Sequence, residues 1–378
     1  MNNTHTEAIS FLEEFVRIPS LSGQEEKAAR FLVHQMQKRG FEAHSDSAGN
    51  AVGTIGTGSR EILLLGHIDT VPGDVPVRIQ DNQLYGRGSV DAKGCMATFI
   101  LAAEAFHKTL KNSPLSPLSP LKESHDKKII IVGAVEEEAA TSKGARHIAG
   151  KYDPSSIIIG EPSGADAITL GYKGRLLVDA YLKKPFTHGS SNERNAVEEL
   201  IELYMHILVF MEQYNAEKEA HNAPFFERLQ VRLDHVTTHS DGLYQRADMK
   251  ISFRIPPGFD VPALENYISA HRTVQQQSSE EEPLKLSFYG HEAPIRASKN
   301  TPLVRAFLRS MRKHNLVPRF KLKTGTSDMN ILGAAYPGIP IAAYGPGDSS
   351  LDHTPHEHLD LVEYETAIEV LRSVLSLL

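Results

Sequence analysis

Residues 61–69 have the sequence EILLLGHID, in which four apolar residues are followed by a glycine and then by a His-x-Asp pattern. A short apolar run that ends in glycine predicts a strand buried within a sheet. Alternate residues of an extended segment share a face, so we expect His67 and Asp69 to point the same way. His67 then offers a ring nitrogen to a metal, and Asp69 can fix its tautomer or orient a catalytic base. Taken alone, the pattern fits a plain polar strand end better than a metal site.

Similar apolar runs at 128–135 and 156–160 predict two further strands, and helical periodicity at 92–107 and 142–150 places helices between them. Strands that alternate with helices predict an α/β domain with a mainly parallel sheet. The Pro-Leu-Ser repeats of residues 111–127 predict an exposed loop insertion in this domain.

From about Gly171 the predicted order changes to strand, helix, two strands, helix and strand, which is the ferredoxin-like arrangement. The second of these helices is predicted at residues 261–277. The first pattern returns towards the C-terminus. We therefore expect a discontinuous catalytic domain of residues 1–171 and 293–378, with an inserted ferredoxin-like α+β lid domain of residues 172–292.

The composition argues against several classes of protein. Apolar residues make up 40% and charged residues 23% of the 378 residues, an ordinary balance for a globular chain of two domains. The net charge of −7 argues against a nucleic-acid binder. No apolar run approaches the ~20 residues that span a membrane, and the N-terminus resembles neither a signal nor a transit peptide. With Cys95 as its single cysteine, the chain fits a reducing compartment, and we expect it in the cytoplasm.

Four other segments place acidic or histidine side chains after a predicted strand or in a glycine-rich turn. They are GRGSVDAKG at 86–94, VEEEA at 135–139, GEPS at 160–163 and DHTPHEH at 352–358. A carboxylate in a tight turn, such as Asp91, can bridge two cations, although a helix N-cap is an equally common role. Three glutamates at a strand end repel one another unless a cation or solvent neutralises them. Together these donors suit zinc, cobalt or manganese better than calcium or an iron–sulfur cluster.

These segments, with GHIDTVP at 66–72 and GTSD at 325–328, resemble the M20 family of metallopeptidases and deacylases over essentially the whole chain. The resemblance implies a zinc-peptidase-like catalytic domain. It also implies two divalent metal ions as cofactors, zinc or alternatively cobalt. Asp69 is then a catalytic residue that supports the metal ligands.

The resemblance assigns the metal ligands to five residues: His67, Asp91, Glu138, Glu161 and His353. Asp91 bridges both ions, Glu161 shares one ion with His67, and His353 completes the other site. In the Asp-Glu-Glu pattern of the family, the first glutamate is the general base and the second is a ligand. Glu136 stands where the family has aspartate, which makes Glu137 the base and Glu138 the ligand. A slip by one residue gives these roles to Glu136 and Glu137, and three consecutive glutamates leave that alternative open.

The predicted lid domain carries further motifs of the family. The THGSS motif around His188 resembles the lid motif whose histidine reaches across a dimer to the partner's active site. This implies a catalytic role for His188 and a homodimer through the lid. Arg254, in an SFR motif, resembles a lid arginine that contacts substrate, although a surface charge at a strand end is nearly as common. Thr326 and Ser327 of the GTSD segment are expected to hold a substrate carboxylate.

Three segments resemble a biosynthetic branch of the family: GAVEEEA at 133–139, GYKGR at 171–175 and YGPGD at 344–348. These hydrolases cleave an amide bond to release lysine or ornithine from an amino-group carrier protein or from an acetylated form. The resemblance implies a small amino-acid-derived substrate attached to an acidic carrier protein, in lysine or arginine biosynthesis. Arg319, Lys321 and Lys323 share a strand face that could attract such a carrier or could simply be a solvated edge.

Three other functions stay open at this point. A general N-acyl amino-acid deacylase or dipeptidase of the same family would act on small substrates. A catalytically inactive homologue would bind ligands without hydrolysing them, but such proteins usually lack metal ligands, and none is missing here. A nucleophilic hydrolase is disfavoured because the chain has no Gly-x-Ser-x-Gly motif and Cys95 lies on a predicted buried helix.

Overall fold

The computed structural model describes residues 3–111, 126–190, 192–271 and 284–378. The chain divides into two compact units. The first unit comprises Met1–Gly171, Arg296–Leu322 and Ser327–Leu378, and the second unit comprises Tyr172–Ile295 and Lys323–Thr326.

The described residues form helices and strands that are numbered here in chain order. The strands are β1 (Glu42–Ser45), β2 (Ala51–Ile55), β3 (Arg60–His67), β4 (Arg78–Gln80), β5 (Gln83–Tyr85), β6 (Lys127–Ala134), β7 (Pro154–Gly160), β8 (Ala167–Tyr172), β9 (Gly174–Pro185), β10 (Gln230–Ser240), β11 (Tyr244–Ile255), β12 (Lys285–Glu292), β13 (Ile295–Arg296), β14 (Arg319–Lys323), β15 (Ile341–Ala343) and β16 (His358–Asp360). The α-helices are α1 (Asn3–Val16), α2 (Glu26–Lys38), α3 (Lys93–Lys111), α4 (Lys143–Ile148), α5 (Ala196–Ala220), α6 (Val261–Ser269), α7 (Pro302–Lys313), α8 (Asp328–Ala335) and α9 (Leu361–Leu377).

The larger sheet has the strand order β1-β2-β6-β3-β7-β15-β8-β13, with β14 paired to β8. Its four central strands, β6, β3, β7 and β15, run parallel to one another, whereas β2 and β8 join them antiparallel. A parallel strand in the middle of such a sheet is covered on both faces, which explains why Ile62 to Leu65 form an unbroken apolar run that is fully buried. This confirms the predicted α/β fold class.

The register of these parallel strands brings their carboxyl ends together. Gly66 of β3 lies opposite Gly133 of β6 on one side and opposite Gly160 of β7 on the other. The residues that follow these three glycines therefore emerge side by side at one edge of the sheet, where ligand sites of α/β proteins normally form.

Some boundaries predicted from the sequence are wrong. The helix predicted at 261–277 ends at Ser269 as α6, and residues 272–277 lie outside the described part of the chain. The loop predicted at 111–127 is wrong at both ends, since Lys111 belongs to α3 and Lys127 to β6; residues 112–125 lie outside the described ranges. Lys127 can begin a buried strand because its Nζ donates to the carbonyl oxygen of Leu375 at 2.8 Å.

The outer strands of the larger sheet carry little sequence signal. β1 is short and largely exposed, so it lacks the apolar pattern that identifies β3. Helix α8 is also absent from the predicted elements. It is only eight residues long and begins in a capping box made by Ser327 and Asn330.

The second unit contains a four-stranded antiparallel sheet with the order β10-β11-β9-β12. Burial alternates along β11, and the buried side chains of the sheet pack against α5 and α6. Along the chain the order is β9, α5, β10, β11, α6 and β12. Asn195 begins α5 with a capping box that includes Glu198. None of the helices in the described residues has an apolar stretch of the length needed to cross a bilayer.

Candidate metal centre

His67 is the last residue of β3 and is 2% exposed. Its Nδ1 lies 3.0 Å from the main-chain oxygen of Asp69. A carbonyl oxygen only accepts hydrogen bonds, so Nδ1 carries a proton and Nε2 is the nitrogen that faces Asp91 Oδ1, at 3.0 Å. Burial by itself would lower the pKa of His67, but its hydrogen bonds with Asp69 and Asp91 raise it well above the usual value.

Asp69 connects β3 to the loop that follows β6. Its side chain is fully buried, and its two oxygens accept the backbone N–H groups of Glu137 and Glu138, each at 3.0 Å. Ser22 donates its hydroxyl to the same carboxylate at 2.7 Å. Burial would raise the pKa of Asp69, but the bond with His67 and these donors outweigh it, and the pKa lies below its ordinary value. Asp69 is therefore an ionised acceptor that holds two consecutive amides.

Asp91 lies between the two histidines of the centre. Its Oδ1 faces His67, and its Oδ2 is 3.1 Å from Nε2 of His353. The backbone around Asp91 is held by Glu357, which accepts the N–H groups of Val90 and Asp91 at 3.0 and 3.3 Å. Glu357 is 1% exposed.

Glu138 is the second carboxylate that contacts His353, with Oε1 2.8 Å from Nε2. Two groups of potential ligand atoms lie within 4.8 Å of one another: His67 with Glu137 and Glu138, and Asp91 with Glu138 and His353. The structure therefore brings His67, Asp91, Glu137, Glu138 and His353 together from four separate parts of the chain.

Glu136 points elsewhere. Its backbone has φ of +59°, and its carboxylate accepts the hydroxyl of Thr141 at 2.7 Å and lies 3.4 Å from Nζ of Lys143. Of the three consecutive glutamates, Glu137 and Glu138 are the two that lie beside His67. Glu136 thus faces Thr141 and Lys143 rather than His67.

Two further acids act on Glu137. Glu161, which follows β7, is 7% exposed, and Asp328, at the start of α8, is 2% exposed. Burial is the main reason that the pKa of Glu137 is raised well above its usual value; Glu161, Asp328 and Glu138 raise it further, against the opposing charge of His67. Asp328 belongs to the GTSD segment, but the sequence alone gives it no role.

The donor set fits divalent cations. Three carboxylates, those of Asp91, Glu137 and Glu138, lie beside the two imidazoles, and like charges at such distances repel one another. Glu161 acts on this group through Glu137, whose pKa it raises. Hydrogen bonds to Asp91 and Glu138 raise the pKa of His353 to about 10. The carboxylates thus favour the protonated, positively charged form of His353. A bound cation would supply that positive charge instead.

The predicted substrate and lid residues have more varied surroundings. Arg254 donates from Nη1 to Thr326 Oγ1 at 3.1 Å, within the second unit. The hydroxyl of Ser327 caps helix α8 by accepting the N–H of Met329 at 3.2 Å, which explains this residue without a substrate. His188 is exposed and its Nδ1 lies 2.8 Å from Ser190 Oγ; Ser191 of the same motif lies outside the described residues.

Comparison with known proteins connects this chain to a family. The profile of Peptidase family M20/M25/M40 matches residues 63–377. The LysW-lysine hydrolase of Deinococcus radiodurans is 42% identical over 98% of this chain and 96% of that protein. The putative LysW-lysine/LysW-ornithine hydrolase of Thermococcus kodakarensis is 37% identical over 98% of this chain and 91% of that protein.

Two solved structures have a similar fold. The M20 family metallo-carboxypeptidase Sso-CP2 from Sulfolobus solfataricus has a TM-score of 0.76 at 20% identity, covering 100% of this chain and 99% of that one. The Bacillus subtilis YXEP protein, a dinuclear metal binding peptidase from the M20 family, has a TM-score of 0.62 at 11% identity, covering 98% and 97%. At these identities the likeness concerns the fold alone.

Proposed function

Because the chain belongs to Peptidase family M20/M25/M40, we propose that it releases lysine from the amino-group carrier protein LysW by hydrolysing the amide bond that joins them. Ornithine is the second substrate to consider, since the Thermococcus kodakarensis relative, among others, is named for both amino acids. The main support for metal-dependent hydrolysis is the position of Asp91, whose two carboxylate oxygens face His67 and His353. We place the reaction in lysine biosynthesis in the cytoplasm, with arginine biosynthesis as the route if ornithine is released.

Two divalent cations are proposed at this centre. His67 and Glu161 would hold one, Glu138 and His353 would hold the other, and Asp91 would contact both. Nitrogen and oxygen donors of this kind suit zinc, with cobalt as the alternative. When bound, the cations lower the pKa of water and polarise the substrate carbonyl.

Glu137 is the proposed general base. Its burial and its acidic neighbours raise its pKa, so its carboxylate is a stronger proton acceptor than an exposed glutamate. It would take a proton from the attacking water and pass it to the nitrogen of the departing amine. Asp69 orients this step because it fixes the amides of Glu137 and its neighbour Glu138.

The residues of the second unit are proposed to bind substrate. Arg254, whose guanidinium is held by Thr326, would pair with the free α-carboxylate of the lysine. His188 would donate to the carbonyl oxygen as negative charge develops there. In a homodimer through the second unit, which the motif around His188 implies, this histidine would serve the active site of the other copy.

One of the three basic residues on the strand face of β14 is paired with a carboxylate. Arg319 is bound by both oxygens of Asp166, at 2.7 and 2.8 Å, so its charge is already balanced. We propose that Lys321, on the same strand face and near Asp348, contacts an acidic carrier. We expect Lys321→Glu to raise KM for carrier-linked lysine and to leave KM for acetyl-lysine unchanged. Equal KM values in wild type and variant for both substrates would exclude this contact.

The deciding experiment combines metal content with a substrate panel. The purified protein is stripped of metal, reloaded with zinc or cobalt, and assayed on LysW-lysine, LysW-ornithine, acetyl-lysine, acetyl-ornithine and a dipeptide. We expect two metals per chain and the highest kcat/KM on a LysW-linked substrate. A preference for the small substrates would indicate a general deacylase or dipeptidase, and metal binding without hydrolysis of any of them would indicate an inactive homologue.

A further inference from the structure

The backbone of the acidic loop, residues 135–138, is held by side chains from outside it. Its first two N–H groups donate to Asn50 Oδ1 and to Glu25 Oε1, each at 3.1 Å. Its last two donate to the two oxygens of Asp69. Four consecutive backbone N–H groups thus donate to three side chains, whereas the N–H groups of loops commonly donate to water or to neighbouring backbone.

Glu25 serves the loop rather than its own helix. It is the N-cap residue of α2, but its side chain makes no capping hydrogen bond. Its carboxylate is buried, with the whole residue 5% exposed. Its Oε1 accepts from the N–H of Gly23 at 2.7 Å and from the N–H of Glu136 in the acidic loop. A buried carboxylate is costly unless its hydrogen bonds compensate for the lost water.

Asn50 is fixed in the orientation that the loop needs. It is fully buried, and its Nδ2 donates to Asp46 Oδ2 at 3.0 Å and to the carbonyl oxygen of Gly144 at 3.2 Å. Both of these partners accept hydrogen bonds, so the amide nitrogen must face them. Oδ1 therefore faces the N–H of Val135 at the start of the acidic loop.

These bonds constrain the conformation that separates the three glutamates. Glu136 has φ of +59°, a region that residues other than glycine rarely occupy. Such a residue persists where its surroundings determine the backbone on both sides. The turn directs Glu136 towards Thr141, and it places the carboxylates of Glu137 and Glu138 near His67.

We propose that Glu25 and Asn50 are positioning residues for the hydrolysis, because they hold the acidic loop in the turn that presents Glu137 and Glu138. Neither side chain is proposed to touch the substrate. Both act through the backbone of the loop. The inference rests on the proposed function for its catalytic consequence, and on the hydrogen bonds alone for its structural part.

The test uses two neutral substitutions of Glu25 in the full-length protein. Glu25→Gln keeps an oxygen acceptor, and Glu25→Met keeps the length of the side chain but removes the acceptor. We expect Glu25→Met to lower kcat and the affinity for the metals by about 10- to 100-fold with KM within about twofold. Glu25→Gln should stay close to wild type. Glu26→Met is the matched control, because Glu26 is exposed and its carboxylate pairs with Arg30 on the surface of the same helix.

A second measurement does not depend on catalysis. Amide hydrogen exchange of the metal-free proteins should accelerate within the acidic loop of Glu25→Met, while β3 and β6 keep their protection. Acceleration that extends over both strands would instead show general destabilisation and would overturn the proposal. Unchanged exchange in Glu25→Met would also overturn the proposal. So would a loss of kcat in Glu25→Gln as large as in Glu25→Met, because the charge of Glu25 rather than its acceptor oxygen would then matter.

The positioning role of Glu25 and the proposed hydrolysis can be refuted separately. If the wild-type protein hydrolyses none of the amides, the proposed function is wrong, yet the exchange comparison still decides whether Glu25 holds the loop. If the wild type is active and Glu25→Met keeps its kcat within twofold, the positioning role is wrong and the proposed function stands.

Discussion

Replacing Glu137 and Glu136 separately by glutamine tests which glutamate moves the proton. Glu137 lies within reach of His67 and Glu138, whereas Glu136 is turned towards Thr141 and Lys143. Glutamine has nearly the same shape as glutamate, but it cannot take up the proton. The two variants therefore differ in position along one loop and in little else.

The magnitudes follow from these surroundings. A positioned general base contributes about 10²- to 10⁴-fold to the rate, which corresponds to about 3–5 kcal/mol in the activation free energy. We expect that loss in kcat for Glu137→Gln. Glu136 makes one hydroxyl bond and one partly exposed ion pair, so Glu136→Gln should cost at most about 1 kcal/mol of stability and leave kcat unchanged.

The assay is kcat on LysW-lysine or acetyl-lysine, with metal content measured on the same samples. Both variants should retain two metals per chain, because neither Glu136 nor Glu137 is a proposed ligand. Glu137→Gln should also leave the metal-free protein no less stable, since it removes a buried carboxylate whose pKa is raised by burial and by Glu161, Asp328 and Glu138. Full activity in Glu137→Gln together with lost activity in Glu136→Gln would refute the assignment and move the base by one residue.

Three further predictions address substrate binding, pH dependence and the mechanistic class. Arg254→Ala should raise KM about tenfold or more with a smaller change in kcat, because a charge-assisted bond to the substrate carboxylate is lost; an unchanged KM would exclude the contact. Burial, aided by the charge of Arg254, lowers the pKa of Lys173 from 10.5 to about 8. Between pH 8 and 10.5 the unfolded chain therefore binds more protons at this lysine than the folded chain does. Stability measured by denaturant should therefore rise with pH from 8 to 10.5 more steeply in wild type than in Lys173→Met, and parallel curves would contradict the shift. Thiol reagents should leave kcat unchanged because Cys95 is fully buried; inactivation at a rate that matches labelling of Cys95 would restore the nucleophilic alternative.

Several expectations from the sequence are confirmed at the level of family and fold. The family profile and the curated relatives agree with the M20 resemblance and with an amide-bond hydrolase, and the parallel centre of the larger sheet agrees with the α/β class. The bounds of the inserted domain, the roles of the individual site residues, the identity of the metals and the homodimer stay predictions. The helix at 261–277 and the loop at 111–127 were placed with wrong ends. Helix α6 ends at Ser269, α3 continues to Lys111, and β6 begins at Lys127, whose Nζ donates to a carbonyl oxygen 248 residues away.

The sequence by itself determined what lies at each strand end. The apolar run of β3 requires a buried strand, and a buried parallel strand delivers His67 to the edge of the sheet where its neighbours deliver the acidic residues. These inferences succeed because they depend on short-range periodicity, which is written in consecutive residues.

Only the tertiary structure shows which of the three consecutive glutamates lie beside His67. The acceptors that fix the acidic loop come from far along the chain: Asn50 is 85 residues from its partner and Glu25 is 111 residues from its partner. Glu357 is 267 residues from the amide of Val90 that it holds beside Asp91. Three glutamates in a row have the same chemistry, so the backbone turn at Glu136 decides which of them face His67. That turn is held by contacts that no local pattern encodes.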